Sequence, residues 1–156
     1  MQQAIPLAAA VAAESMQAEL GGLTPLATFR GLLIFSADAS DIPSTMQEIG
    51  RIREAVFRQA GAGRNLPRDL DDLDYTAPAY QQLLVWDPER LQLVAMYRYQ
   101  LGWLAADAGL HILRTSQLFR YSEAFRAQVL PYAIELGRSA VNPAAAAHTL
   151  GFFALW

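Results

Sequence analysis

The sequence predicts an α/β or α+β domain built on a single sheet. Short apolar runs alternate with stretches of helical periodicity, turn residues mark the boundaries, and two strand-like runs are parted by only Asp87-Pro88-Glu89-Arg90. The chain has 156 residues, 53% hydrophobic and 17% charged. A chain of that size buries about 68–70% of the surface its unfolded form exposes, which is enough for one core without a disulfide or metal staple. It has no cysteine, which excludes disulfide frameworks, thiolate metal sites and cysteine nucleophiles. The formal charge is −3 and all 12 basic residues are arginine. Nothing in that balance points to nucleic acid, and without lysine there is neither a Schiff base nor a P-loop.

The first segment, Ala4 to Leu20, is rich in alanine and reads as a helix stopped by Gly21 and Gly22. Its apolar part, Ala4 to Ala13, contains Pro6 and follows Met-Gln-Gln with no basic residue. It is therefore a poor secretory signal, and no run approaches the ~20 apolar residues of a spanning helix. The expectation is a cytoplasmic protein whose residues 1–30 form an N-terminal helical extension ahead of a domain over 31–156. A peripheral contact of this helix with the inner membrane is the sharper alternative, set against a polar face of Gln and Glu that offers anionic lipid no cation.

Gly31 to Phe35 reads as a buried strand leaving into a Ser-Ala-Asp-Ala-Ser-Asp loop. A helix follows, with Pro43 upstream, Thr45 and Glu48 as a capping box, and Ile49, Ile52, Val56 and Phe57 at helical spacing. Gly61 to Ala79 is a long polar connection holding Asp69, Asp71, Asp72 and Asp74, and such loops in compact domains are usually functional or disordered. Gln82 to Trp86 and Leu91 to Gln100 form an expected hairpin, and Ser122 caps a helix running to Leu130 before Pro131. Tyr132 to Val141 reads as a strand, Asn142-Pro143 as a turn, and Leu150 to Trp156 as a final apolar segment.

The chemistry lies with carboxylates and arginines. His111 and His148 are isolated, and the acidic cluster lacks an EF-hand pattern, so no metal site is expected. Asp71 and Asp74 either complement a cationic substrate or pair with arginines of the preceding helix. Glu135 sits in an apolar strand, where a carboxylate needs a partner: it is either in an ion pair with Arg98 or Arg138, or a general base poised by partial burial. Glu135 and Arg138, three apart, point to opposite faces of a regular strand, so Gly137 is expected to mark a bulge or a close approach of backbone.

Arg53-x-x-x-Phe57, Asp71-x-x-Asp74, Tyr97-Arg98, Phe119 and Glu135-x-x-Arg138, in this order, resemble the skeleton shared by acyl-homoserine-lactone synthases and the ornithine-lipid and glycine-lipid N-acyltransferases. These belong to the Gcn5-related N-acetyltransferase (GNAT) superfamily. Thr45 to Glu54, Gln82 to Glu89, Leu118 to Ser122 and Leu130 to Ser139 are more similar to the glycine-lipid branch, and the resemblance covers Asp41 to Pro143.

The resemblance implies a GNAT-like mixed sheet flanked by helices, incomplete at its C-terminus because the chain ends where the family continues through further strands. It implies transfer of a 3-hydroxyacyl group from an acyl-carrier-protein phosphopantetheine thioester to the amine of glycine or ornithine, with no bound cofactor and no covalent enzyme intermediate. Glu135 would deprotonate the amine, directly or through water, while Asp71 and Asp74 organise the amine pocket. Arg98 and Arg138 would hold the loop or bind a carboxylate, and Arg53, Phe57 and Phe119 would line the substrate site. Backbone N–H groups of Ser139, Ala140 and Val141 would polarise the thioester carbonyl or pair with the pantetheine arm. Two alternatives stand beside this one. The first is an autoinducer synthase using S-adenosylmethionine. The second is an inactive half-domain that binds acyl carrier protein or pairs with a second chain, such as another copy, through its apolar C-terminus.

Overall fold

The structure, a computed structural model, describes residues 4–155. Met1, Gln2 and Gln3, and Trp156 of the last apolar segment, lie outside the described residues. The chain opens with an extended strap where a helix from Ala4 was expected. Pro6 has no N–H to give, and the strap's other backbone groups are taken by distant partners. Ile5 N–H donates to Asn65 Oδ1 (2.8 Å), Ala8 N–H to Pro67 O (3.1 Å) and Val11 N–H to Glu48 Oε2 (3.1 Å). Helix α1 (Ala13–Gly21) keeps the expected glycine stop, and its Met16 and Leu20 enter the main core.

Strands β1 (Ala27–Phe29) and β2 (Leu32–Ala37) form a hairpin through Arg30 and Gly31, whose φ values of 49° and 83° suit a tight two-residue turn. The three residues of β1 are too few to show a period, which is why no strand was expected there.

Helix α2 (Pro43–Gln59) begins with proline in its first turn, and the expected capping box is overturned. Thr45 and Glu48 lie inside the helix, both buried. The orphan N–H groups are satisfied from outside: Glu19 of α1 accepts from Ser44 N–H (2.7 Å), Thr45 N–H (2.8 Å) and the Thr45 hydroxyl (2.7 Å).

The long connection closes in a 3₁₀ turn at Asp72–Asp74, reciprocally capped by Asp71 and Asp74. Strands β3 (Gln81–Asp87) and β4 (Gln92–Leu101) form the expected hairpin, with Asp87 Oδ1 accepting from the Glu89 and Arg90 N–H groups, each at 3.0 Å. Residues 102–132 then build a flap for which only one helix was expected. It comprises α3 (Gly102–Ala108), 3₁₀ turns at Leu110–Ile112 and Arg114–Gln117, α4 (Glu123–Gln128) and a last turn at Leu130–Tyr132. Ser122 caps α4 as expected, accepting from Phe125 N–H (3.2 Å). Ala105, Ile112, Leu113 and Leu130 give the flap its own small core. Only glycine fits at 102, because a Cβ there would collide with the Leu130 carbonyl oxygen.

Strand β5 (Ile134–Val141) and helix α5 (His148–Ala154) complete the described chain. The α/β class is the one expected. Among the described residues five strands lie in the order β1-β2-β3-β4-β5, with every pairing antiparallel where a mixed sheet was expected. On one face α2 covers Phe35, Leu84, Trp86, Met96 and Ala140, together with Met16 and Leu20, so the N-terminal helix shares the sheet's own core. On the other face Ala154 and Leu155 at the end of α5 cover Val85, Val94 and Ala95.

Burial works against ionisation of the Glu19 carboxyl, but the backbone and hydroxyl donors of Thr45 and the backbone of Ser44 outweigh it and hold it below the ordinary range. A folded value below the unfolded one contributes stability that is present above the ordinary Glu range and lost as pH falls through the folded value. Glu19→Ala is expected to lower stability by about 1 kcal/mol at neutral pH. Urea midpoints compared at neutral and acidic pH should show the gap closing on the acid side.

Candidate active site

Helix α2 turns Arg53 and Phe57, one turn apart, toward the sheet. Arg53 is 0% exposed, and a buried guanidinium needs acceptors matched to its fork. Its Nη1 donates to Asp74 Oδ1 (3.2 Å) and its Nη2 to Gln82 Oε1 (2.7 Å), while Gln82 Nε2 lies 3.3 Å from the same Asp74 oxygen. Arg98 of β4 reaches the cluster from the sheet. It grips Asp71 with both terminal nitrogens (2.6 and 3.2 Å) and places Nη1 3.1 Å from Asp74 Oδ1. Its guanidinium carbon sits 4.7 Å from the centre of the Tyr80 ring.

Burial alone would lower the Arg98 guanidinium, but the Asp71 hydrogen bond and the Asp74 and Asp71 charges outweigh it and raise it. For the deeper Arg53, burial prevails over Asp74 and the shift is downward. Burial would raise the Asp71 carboxyl, and the Arg98 hydrogen bond with the Arg98 and Arg138 charges brings it below its ordinary range.

The expected irregularity in β5 is present one residue past Gly137. Met96 pairs with Ala140 and Arg98 with Gly137, so Arg138 and Ser139 together face Tyr97. Arg138 takes the left-handed conformation (φ 55°) that this bulge needs. The extra residue cancels the alternation expected to part Glu135 from Arg138, and both lie toward α2. Arg138 Nη1 lies 3.2 Å from Asp69 Oδ2, its Nη2 3.5 Å from Asp71 Oδ2, and its guanidinium carbon 5.6 Å from the Phe57 ring centre. The bulge thus ties the edge strand to the acidic loop.

Glu135 forms no ion pair among the described residues, so the expected pairing with Arg98 or Arg138 is overturned. Its Oε1 accepts from Arg114 N–H (2.8 Å) and the Tyr80 hydroxyl, and its Oε2 from Thr115 N–H (3.1 Å) and the Thr115 hydroxyl. The turn that begins at Arg114 presents these amides because its first N–H groups have no partner within it. Burial, then the Glu135 hydrogen bond, push the Tyr80 hydroxyl far above its ordinary value.

Glu135 stands between two hollows. On one side a cavity of about 380 Å³ is lined by Leu113, Phe119, Phe125, Leu130, Ile134 and Leu136, with Thr115 and Tyr121 as its hydroxyl groups. On the other a cleft of about 230 Å³ is lined by Tyr80, Arg98, Arg114, Gly137 and Arg138.

Arg53, Phe57, Asp71, Asp74, Arg98 and Arg138 therefore meet in one cluster, and Phe119 meets Glu135 across the apolar cavity. Ser139 is exposed, Ala140 is buried under α2 and Val141 turns to the opposite face, so only their backbone is shared with the open edge of β5. Gln82, Tyr80, Asp69, Arg114, Thr115 and Tyr121 were not expected at the site. Gln82 was readable as an inward polar position of a strand; the flap residues carried no pattern. No cluster of metal-ligating side chains forms and no helix is long and apolar enough to cross a membrane, both among the described residues.

The chain belongs to the acetyltransferase (GNAT) domain family, which matches residues 52–151. It is 42% identical over 127 residues to a glycine N(alpha)-acyltransferase of Bacteroides thetaiotaomicron, covering 78% of this chain and 38% of that protein. A glycine N(alpha)-acyltransferase of Phocaeicola vulgatus is 40% identical over 127 residues, covering 78% of this chain and 39% of that one. The chain thus spans less than half the length of these curated relatives. No solved structure gives a significant match.

Asp74 is a shared acceptor of two buried arginines. Asp74→Asn should lower stability by about 3–5 kcal/mol by leaving Arg53 uncompensated. Asp71→Asn, at a half-buried position, should cost clearly less, and paired urea titrations of the two variants check the order.

Proposed function

We propose that the protein is an N-acyltransferase that moves a fatty acyl group from an acyl-carrier-protein thioester to the amine of glycine, yielding a lyso-lipoamino acid. The observation that carries this reading is the position of Glu135, between an apolar cavity suited to a hydrocarbon chain and an arginine-lined cleft suited to a carboxylate. The names of the two relatives, both glycine N(alpha)-acyltransferases, support glycine over ornithine as acceptor.

In this reading the acyl tail runs along Phe119, Phe125, Leu130 and Ile134. The acceptor carboxylate turns toward Arg114 and Arg138, with Arg98 behind them, whose buried Nε–H has no partner among the described residues. Asp71 holds Arg98 and Arg138 in place and Asp74 holds Arg98, while Arg53 and Phe57 support the cluster from α2. Glu135 takes one proton from the glycine ammonium, freeing its lone pair to attack the thioester carbonyl. The open edge of β5 at Ser139 to Val141 offers backbone N–H groups to the developing oxyanion and to the pantetheine arm. The C–N bond forms, the C–S bond breaks, and the second amine proton leaves with the thiol. No resident cofactor takes part, and the acyl carrier protein is a partner only as donor.

Purified protein given acyl carrier protein thioesters and a panel of amino acids should release N-acylglycine, detected by mass spectrometry. Absence of any N-acylated product would sink the reading. Glu135→Gln should lower kcat by at least about 10²-fold if the carboxylate accepts the proton.

A further inference from the structure

A carboxylate offers about four lone-pair positions, and in Glu135 each already receives a donor: Arg114 N–H, Tyr80 O–H, Thr115 N–H and Thr115 O–H. An amine cannot approach this carboxylate directly without displacing one of them. Two of the donors are hydroxyls, which can pass a proton on while remaining bonded, whereas the backbone N–H groups cannot.

The hydroxyls differ in what lies behind them. Tyr80 borders the arginine cleft, but it is 0% exposed and its oxygen already accepts from Arg114 N–H (2.9 Å), so its hydroxyl is closed to an incoming donor. Thr115 spends its only hydroxyl proton on Glu135 Oε2 and is hydrogen-bonded to Tyr121 Oη, so Tyr121 must be the donor in that bond. Tyr121 lines the apolar cavity, and its ring is held 5.1 Å, centre to centre, from Phe125. Its oxygen keeps lone pairs for a donor arriving in the cavity.

We propose that Glu135 reaches the acceptor amine through a two-hydroxyl relay, with Tyr121 as the entry point and Thr115 as the link. The inference rests on the acyl-transfer reading above. A proton leaves the amine nitrogen for Tyr121 Oη as the Tyr121 proton passes to Thr115 Oγ1 and the Thr115 proton to Glu135 Oε2. Both hydroxyls are restored, the carboxyl becomes neutral, and the amine is left with a free lone pair. Glu135 later returns the proton to solvent by the same route. The charged groups beside the carboxylate, Arg98 and Arg138 from the sheet and Arg114 from the flap, stay charged throughout.

The test compares N-acylglycine formation by the wild type and by Thr115→Val, Thr115→Ser and Tyr121→Phe. Thr115→Val keeps the shape and the backbone N–H but breaks the relay. It should lose about 10²-fold in kcat, of the order of a general-base contribution, with KM for glycine within about threefold. Thr115→Ser should restore kcat to within about threefold of the wild type. Tyr121→Phe leaves the Thr115 oxygen open to the cavity and should fall between, near tenfold. The Thr115→Val defect should shrink as pH rises and the amine loses its proton unaided. An unchanged kcat in Thr115→Val, or a loss that Thr115→Ser does not recover, overturns the relay while the acyl-transfer reading stands. A wild type without product overturns that reading and the relay with it.

Discussion

Asp74 Oδ1 lies within 3.3 Å of Arg53 Nη1, Arg98 Nη1 and Gln82 Nε2, and those contacts join helix, loop and sheet at one atom. A charge this deep is tolerated only when its partners are fixed, and fixing them dictates much of the surrounding geometry. Arg53 has to come from the sheet-facing side of α2, Gln82 and Arg98 from neighbouring strands in register, and Asp74 from a loop closed tightly by its 3₁₀ turn. Asp69 and Asp74, in a connection that composition alone would leave to solvent, are thereby drawn into the interior. Asp71 and Asp69 extend the same logic outward to Arg98 and Arg138, where solvent begins to share the cost of charge.

Glu135 does for the flap what Asp74 does for the loop. It lies on an edge strand beside the flap, residues 102–132, which is also tied down by Gly102 N–H donating to Ala133 O and by Arg114 N–H donating to the Tyr80 hydroxyl. By accepting from Arg114 and Thr115 it pins the flap over the apolar cavity and sets the wall between that cavity and the arginine cleft. The same four donors that place the carboxylate also screen it from direct approach. A carboxylate so fully engaged is useful to an amine only through groups that can both hold it and exchange protons, so structure and chemistry meet in the hydroxyls.

Much of the architecture was legible in the sequence because it is local. The 3.6-residue spacing of Ile49, Ile52 and Val56, the turn chemistry after Asp87, the glycines after α1 and the serine before α4 each act over a few residues, and each element formed close to where it was expected. Arg53, Phe57, Asp71, Asp74, Arg98 and Arg138 were singled out by the family resemblance, which named members of the charged cluster without their pairings. The N-terminal strap was misread because its backbone partners, Glu48, Asn65 and Pro67, are 37 to 60 residues away in the chain. The capping box failed for a related reason. A carboxylate on a different helix, Glu19, accepts from the Thr45 N–H that Glu48 was expected to cap, and from Ser44 N–H as well.

The sequence by itself determined the class of the fold, the order of its main elements, the family resemblance and the residues able to bear charge. Only the tertiary structure decided how those charges are matched. An ion pair with an arginine was one of two readings of Glu135, yet the flap delivers two amides and a hydroxyl to it and Tyr80 a second hydroxyl, and one residue of bulge turns Arg138 onto the face where Asp69 and Asp71 can hold it. Thr115 and Tyr121 lie in a stretch with no periodicity, and their bearing on the site comes from the hydrogen bonds of Thr115 to Glu135 across 20 residues of chain and from the bond between Tyr121 and Thr115. Periodicity reports which face of an element is buried. Which acceptor a buried donor finds is settled by long-range packing, where every polar group taken from water has to be answered by whatever the fold brings near it.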